Sequence, residues 1–274
     1  MSNKTNQNAS DIKIGAFYKQ YKPFQKELKS FLYRILANRQ DAEDIHQDCF
    51  VKAFEKHHTF KGTSSLKVWC FSIAHNLAYD VLRKRNRWSS DTKDKARDYA
   101  ESHPEFIRLI EQTHAMDPEG KFVIKEHIDH CFTCISKSLI IEQQISLILK
   151  DIYAFKIKEV ALIINKGEAA VKHYVRLARK TMIKIYDDRC SLVNKNGMCH
   201  QCAMINHSLN PEQKEHHELI NIKMFAEREH ASKKELYKMR TALIKSINPL
   251  YSKGTNIQEI FMSLNRKIVG EIDK

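Results

Sequence analysis

Residues 65–87 read Ser65-Leu66-Lys67-Val68-Trp69-Cys70-Phe71-Ser72-Ile73-Ala74-His75-Asn76-Leu77-Ala78-Tyr79-Asp80-Val81-Leu82-Arg83-Lys84-Arg85-Asn86-Arg87, and the periodicity of this stretch decides the fold class. Leu66, Trp69, Cys70, Ile73, Ala74, Leu77, Ala78 and Val81 recur at intervals of three and four, the spacing of one buried helix face. The preceding Lys61-Gly62-Thr63-Ser64-Ser65 is turn-like and offers hydroxyls as N-caps. Lys67, Phe71, His75 and Tyr79 form a second row, each one turn apart, and the helix runs into Arg83, Lys84, Arg85, Arg87 and Trp88. Rings beside cations suit an opened nucleic-acid strand, because unpaired bases stack on the rings while Lys and Arg neutralise phosphates. The plainer alternative is that Phe71 and Tyr79 only widen the buried face.

Upstream, Asp41 is positioned to cap a helix with Asp44 in its first turn. Ala42, Ile45, Cys49, Ala53 and Phe54 share one face of that helix. Asp44 and Asp48 stand one turn apart on the other side, beside Gln47. Like charges at that spacing cost an isolated helix roughly 0.2–0.5 kcal/mol, which a basic partner would offset; an ordinary solvated acidic face is the alternative reading.

The chain of 274 residues is long enough for two small domains or one large one. With 42% hydrophobic and 29% charged residues it has the make-up of a soluble globular protein, and 7 Gly with 5 Pro supply few of the turns a large sheet needs. An all-α fold follows. Forty-six Lys and Arg against 33 Asp and Glu leave a formal +13, favouring polyanionic partners such as nucleic acid. No apolar run approaches the ~20 residues of a membrane span, and the polar Met1 to Ser10 has no signal-peptide core, so no membrane insertion and a cytoplasmic location are expected. Seven cysteines in such a chain suggest thiols or thiolate–metal bonds rather than disulfides.

Further along, Val160, Ala161 and Ile163 lie on one short apolar face, followed by Asn165-Lys166-Gly167 and then by Val171, Val175, Ala178 and Met182 on a second. Two helices joined by a turn containing an αL-tolerant Asn or Gly have helix-turn-helix proportions. The N-terminal part of a recognition helix faces base edges in the major groove, which nominates Glu168, Ala169, Lys172, His173 and Arg176, with Arg179 and Lys180 on phosphates. The expected organisation is a disordered tail over 1–14, a helical bundle over 15–88, a linker over 89–121, a helix-turn-helix block over 122–205, and a helical C-terminal extension over 206–274. In the extension, Asn210 is expected to cap a helix with Pro211 in its first position.

The series Asp41-Ala42-Glu43-Asp44-Ile45-His46-Gln47-Asp48-Cys49-Phe50-Val51-Lys52-Ala53-Phe54, with Phe60-Lys61-Gly62, Ser65-Leu66-Lys67-Val68-Trp69 and Ile73 to Arg85, resembles the second conserved region of extracytoplasmic-function sigma factors in the sigma-70 superfamily. The resemblance runs from about Phe17 to Arg87. It implies that Asp44, Gln47 and Asp48 dock on a basic coiled-coil of core RNA polymerase. It also implies that the loop Lys61 to Ser65 and the following helix capture a flipped base of the −10 promoter element and hold the melted strand; Lys61, Trp69, His75, Asn76, Arg83 and Arg85 are then near that strand. Val160-Ala161-Leu162-Ile163 and Glu168 to Lys180 resemble the fourth region, which reads the −35 element. The turn Asn165-Lys166-Gly167 departs from the usual Gly, aliphatic, Ser or Thr.

Two C-x₂-C pairs, Cys131/Cys134 and Cys199/Cys202, bracket the helix-turn-helix. Paired thiolates at that spacing suit a tetrahedral structural zinc, with Cys190 and His127 as alternate ligands. Free thiols and a redox switch remain alternatives. The expected function is that of a sigma factor with no chemistry of its own, which binds core polymerase, recognises the −10 and −35 elements and directs initiation, with an anti-sigma factor as a further partner. The alternative is a helix-turn-helix regulator that never binds polymerase. A zinc hydrolase is excluded by the lack of H-E-x-x-H and G-x-S-x-G.

Overall fold

The computed structural model describes residues 2–116, 122–212 and 219–271, with the side chains of the first twelve residues left aside. The described residues are helical, joined by turns and one isolated bridge. Helix α1 (Ser2–Leu36) continues through residues 2–14, expected as an irregular tail; nothing before Gly15 interrupts it, and Pro23 lies within it. It packs with α2 (Arg39–Glu55) and α3 (Leu66–Arg83) as a three-helix bundle. Helix α2 starts three residues earlier than a cap at Asp41 implies. Asn38 is the cap, its Oδ1 accepting from the Asp41 backbone N–H at 3.2 Å. Ser65 caps α3 as expected, accepting from the Val68 N–H at 3.2 Å.

The segment expected as a linker carries α4 (Thr92–Ser102) and α5 (Pro104–Met116). The second block holds α6 (Ile124–Ser136) and α7 (Ile141–Leu147), which runs into a π-helical turn (Ile148–Ile152). It continues with α8 (Ile157–Ile164), α9 (Glu168–Arg189) and α10 (Gln201–Leu209). Asn165 closes α8 in the left-handed region at φ 51°, and Gly167 opens α9 without a side-chain cap. Asn210 ends α10 instead of starting a helix: its Nδ2 donates to Phe122 O and Asn206 Oδ1, both at 3.0 Å. The extension then forms α11 (Lys223–Ala226), α12 (Lys233–Lys245) and α13 (Thr255–Ile268).

The extension is built into the core rather than appended to it. One hydrophobic cluster runs from Phe17 through Phe71, Phe132 and Met182 to Ile244 and Met262. At its centre the guanidinium of Arg34, 2% exposed, donates to Asp129 Oδ1 at 3.0 Å, Tyr153 Oη at 2.6 Å and Ile247 O at 2.8 Å. A second tie is Glu271, which accepts from Trp88 Nε1 at 2.6 Å and Lys137 Nζ at 3.3 Å and lies 4.0 Å from Arg85.

His46 packs on the Tyr21 ring with its Nε2 enclosed and without a hydrogen bond. Burial, then the charge of Lys29, push its pKa from 6.5 down to about 4. As pH falls below 6.5 the unfolded chain takes up this proton before the folded one, so stability declines between pH 6.5 and about 4 and this loss levels off below. Urea unfolding midpoints across that range are expected to show a shallower decline in His46→Gln than in the natural chain.

Candidate nucleic-acid interface

Helix α2 turns Ala42, Ile45, Cys49 and Ala53 inward. This leaves Asp44, Gln47 and Asp48 together in solvent, Asp44 accepting a hydrogen bond from Gln40 at 2.8 Å. All three residues expected at a polymerase contact therefore share one exposed, partly acidic face. Arg39, Lys29 and Arg85 neutralise the neighbouring Glu43 and Asp41 instead.

Helix α3 is divided. Lys61, Asn76 and Arg83 are exposed, and Trp69 lies partly buried against the Phe60 ring at 5.3 Å. His75, by contrast, is 7% exposed. Its row is covered by the second block: Phe71 is fully buried against Phe155 (centroids 4.9 Å), and Tyr79 donates to Glu142 at 2.7 Å. Lys67 is bound to Glu27. Arg85 pairs with Asp41 at 2.7 Å and points toward Glu271. Here the plainer reading of Phe71 as core holds, and α8 packs on α3 where an opened strand was expected to lie.

Helix α9 buries Val171, Val175, Ala178, Met182 and Tyr186 and presents Glu168, Ala169, Lys172, His173 and Arg176 to solvent, as a recognition helix requires. Arg179 is half withdrawn into a fork with the carboxylate of Asp151, which also accepts from Tyr237 at 3.0 Å. Asp151 sits in the π-helical turn, so this turn couples α9 to α12.

Between α9 and α12 runs an open groove of about 1070 Å³ lined by Lys150, Lys172, Arg176, Arg179, Lys180, Lys233, Lys234, Lys238 and Lys245, with Asp151 its one acidic residue. The lysines of α12 were missed in the sequence. Their signal was available: Lys234, Lys238 and Lys245 recur at four and seven residues, one helix face, opposite the buried Leu236, Arg240 and Ile244. Such a cationic trough beside a recognition helix suits a phosphate backbone.

The cysteines separate into two environments. Cys131, Cys190, Cys199 and Cys202, with His127, line one small enclosed cavity. Cys134 faces elsewhere, its sulfur near His130 Nε2 at 3.5 Å, Asn265 Nδ2 at 3.4 Å and Met262 Sδ at 3.8 Å. Among the described residues, no three His, Cys, Asp or Glu side chains stand as they are in an arrangement that would hold a metal ion. No described helix is long and apolar enough to cross a membrane.

Residues 20–88, the bundle carrying the acidic face of α2 and the divided helix α3, match the family model of sigma-70 region 2. Curated relatives are extracytoplasmic-function sigma factors. SigG of Mycobacterium tuberculosis is 26% identical over 192 residues, 66% of this chain and 52% of that protein. SigX of Bacillus subtilis is 28% identical over 160 residues, 56% of this chain and 74% of that protein. Residues 20–88 are thus a sigma-70 region 2, and the chain is similar to extracytoplasmic-function sigma factors. It spans about half the length of the SigG relatives. A shorter match, to the sigma factor YlaC of Bacillus subtilis, is 36% identical over 64 residues, 23% of this chain and 37% of that protein. Here the region-2 bundle is packed directly against the second block, with α3 on α8.

Proposed function

We propose that the chain acts as a sigma factor: it binds core RNA polymerase through α2, contacts an opened −10 strand through the exposed side of α3, and holds the −35 duplex on α9. What carries this reading is the exposed trio Asp44, Gln47 and Asp48 on the outer face of α2, inside the stretch matched by sigma-70 region 2. A cationic coiled-coil is the surface that offsets that acidic row. On this reading Lys61, Trp69, Asn76 and Arg83 are the first contacts of the opened strand. The α8 contact leaves α3 in the complex, releasing His75 and Tyr79, while loss of the Glu271 tie frees Arg85. The groove adds the lysines of α12 to the duplex contacts of α9, an extension of the two-region scheme by the C-terminal segment. The protein performs no bond chemistry; binding energy alone selects and opens the promoter.

The deciding experiment is transcription in vitro with sigma-free core polymerase on a promoter library. Specific start sites that depend on the added chain are expected, with enriched −10 and −35 sequences. Duplex binding without any start site would favour the polymerase-independent regulator. For the groove, Lys234→Ala with Lys238→Ala is expected to weaken duplex binding similarly on all sequences and to reduce the slope of log K against log salt by about 2, near 0.9 per phosphate contact. Lys172→Ala or Arg176→Ala should instead alter preference among −35 sequences; fluorescence anisotropy titrations at several salt concentrations measure both.

A further inference from the structure

Four thiols reach one cavity from three separate parts of the chain. Cys131 comes from the middle of α6, Cys190 from the end of α9, and Cys199 and Cys202 from the loop entering α10. The cavity they line is enclosed and small, about 30 Å³. The loop that delivers three of them is rigid. Cys190 and Cys199 are paired across a parallel bridge, with Cys199 N–H donating to Arg189 O at 2.8 Å and Ser191 N–H to Cys199 O at 3.3 Å. Residues paired in this way carry their side chains on the same face. Gly197 is packed against the Cys190 backbone so closely that a Cβ would come within 2.6 Å of its carbonyl carbon, so this turn admits only glycine. Cys202 follows Cys199 by three residues, in the first turn of α10.

The surroundings are cationic where a cavity of neutral thiols would need no cation. Arg240, 1% exposed, donates from Nη2 to Cys190 Sγ at 3.0 Å and lies over the Tyr186 ring at 3.9 Å. Lys93 lines the same cavity. Neither has a carboxylate partner among the described residues. A buried cation without a counter-charge, such as Arg240, is costly, and the sulfur beside it is a group that can supply the charge. Four thiolates around a divalent cation carry a net charge of minus two, which Arg240 and Lys93 balance. His127 lines the same cavity, its Nδ1 bonded to Gln258 Oε1 at 3.2 Å and its Nε2 buried with no partner.

We infer that Cys131, Cys190, Cys199 and Cys202 hold one structural zinc ion that pins α6, the end of α9 and the start of α10 together beneath the recognition helix. No metal-holding arrangement is preformed among the described residues, so binding has to draw the sulfurs together. Compared with the pairing of Cys131/Cys134 and Cys199/Cys202 expected from spacing, Cys190 replaces Cys134. The site does not depend on the sigma-factor reading.

The test is metal analysis of the full chain purified under reducing conditions without chelator, with cobalt(II) reconstitution of the metal-free chain. About one zinc per chain is expected, and cobalt should give intense sulfur-to-metal charge-transfer and tetrahedral d–d bands. Cys190→Ser and Cys199→Ser should each lose zinc, whereas Cys134→Ser and His127→Gln keep about one equivalent. Zinc-free wild-type chain that also gives no cobalt bands would overturn the site without any variant having to fold. Loss of zinc in Cys134→Ser with retention in Cys190→Ser would overturn this ligand set, as would its loss in a folded His127→Gln.

Discussion

Replacing Arg34 by leucine is expected to destabilise the protein by about 3–5 kcal/mol, the cost of leaving a buried charge without its partner. Asp129 is 1% exposed and Arg34 is its ion-pair partner, so the substitution strands a carboxylate in the core. The same change leaves Tyr153 Oη with only Ser30 and removes the Arg34 donor from each of the Ile244 and Ile247 carbonyls. Urea unfolding followed by circular dichroism measures the loss. Arg34→Leu with Asp129→Leu separates the charge from the packing: with both ions gone, most of the stability should return. A double variant as unstable as the single one would assign the effect to lost hydrogen bonds and shape rather than to the stranded carboxylate.

Reversal of the acidic row, Asp44→Arg with Asp48→Arg, is expected to weaken binding to core polymerase by on the order of 100-fold, since placing like charges in contact costs several kcal/mol. Both side chains are exposed and neither belongs to the buried face of α2. Stability should therefore hardly change, and the circular dichroism spectrum and urea midpoint serve as controls. Asp44→Asn with Asp48→Asn should fall between the natural chain and the reversal, and raised salt should narrow the gap. Equal affinity for all three proteins in a low-salt binding titration would remove α2 from the docking surface, and with it the main support for the proposed function.

Local features were legible from the sequence, and distant ones were not. The stripe of α3, its Ser65 cap and the αL turn at Asn165 each depend on residues within a few positions, and each reads directly. The acidic trio on α2 was legible for the same reason, since helical spacing alone keeps Asp44, Gln47 and Asp48 on the side away from Ala42, Cys49 and Ala53. Phe71 and Tyr79 were ambiguous because the groups that meet them, Phe155 and Glu142, lie far along the chain and only the packing of the second block on α3 brings them in. Asn210 has the chemistry of a helix start; it ends α10, where its amide donates to the Phe122 carbonyl, and the helix expected beyond Pro211 runs into residues outside the described ones. Cys134 illustrates the limit of spacing: three residues along a helix leave an offset of about 60°, enough to turn its sulfur toward Met262 and away from the thiol cavity. The lysine face of α12 had a readable period, but nothing in the sequence said that α9 would lie beside it.

The central guanidinium has a consequence in time as well as in space. Arg34 needs Asp129 and the Ile247 carbonyl, so this knot cannot be tied until most of the chain has left the ribosome. At ordinary synthesis rates α3 emerges roughly four to sixteen seconds before α8, the helix that packs on it. A nascent chain thus shows the covered side of α3 bare for that interval, and a finished chain does not.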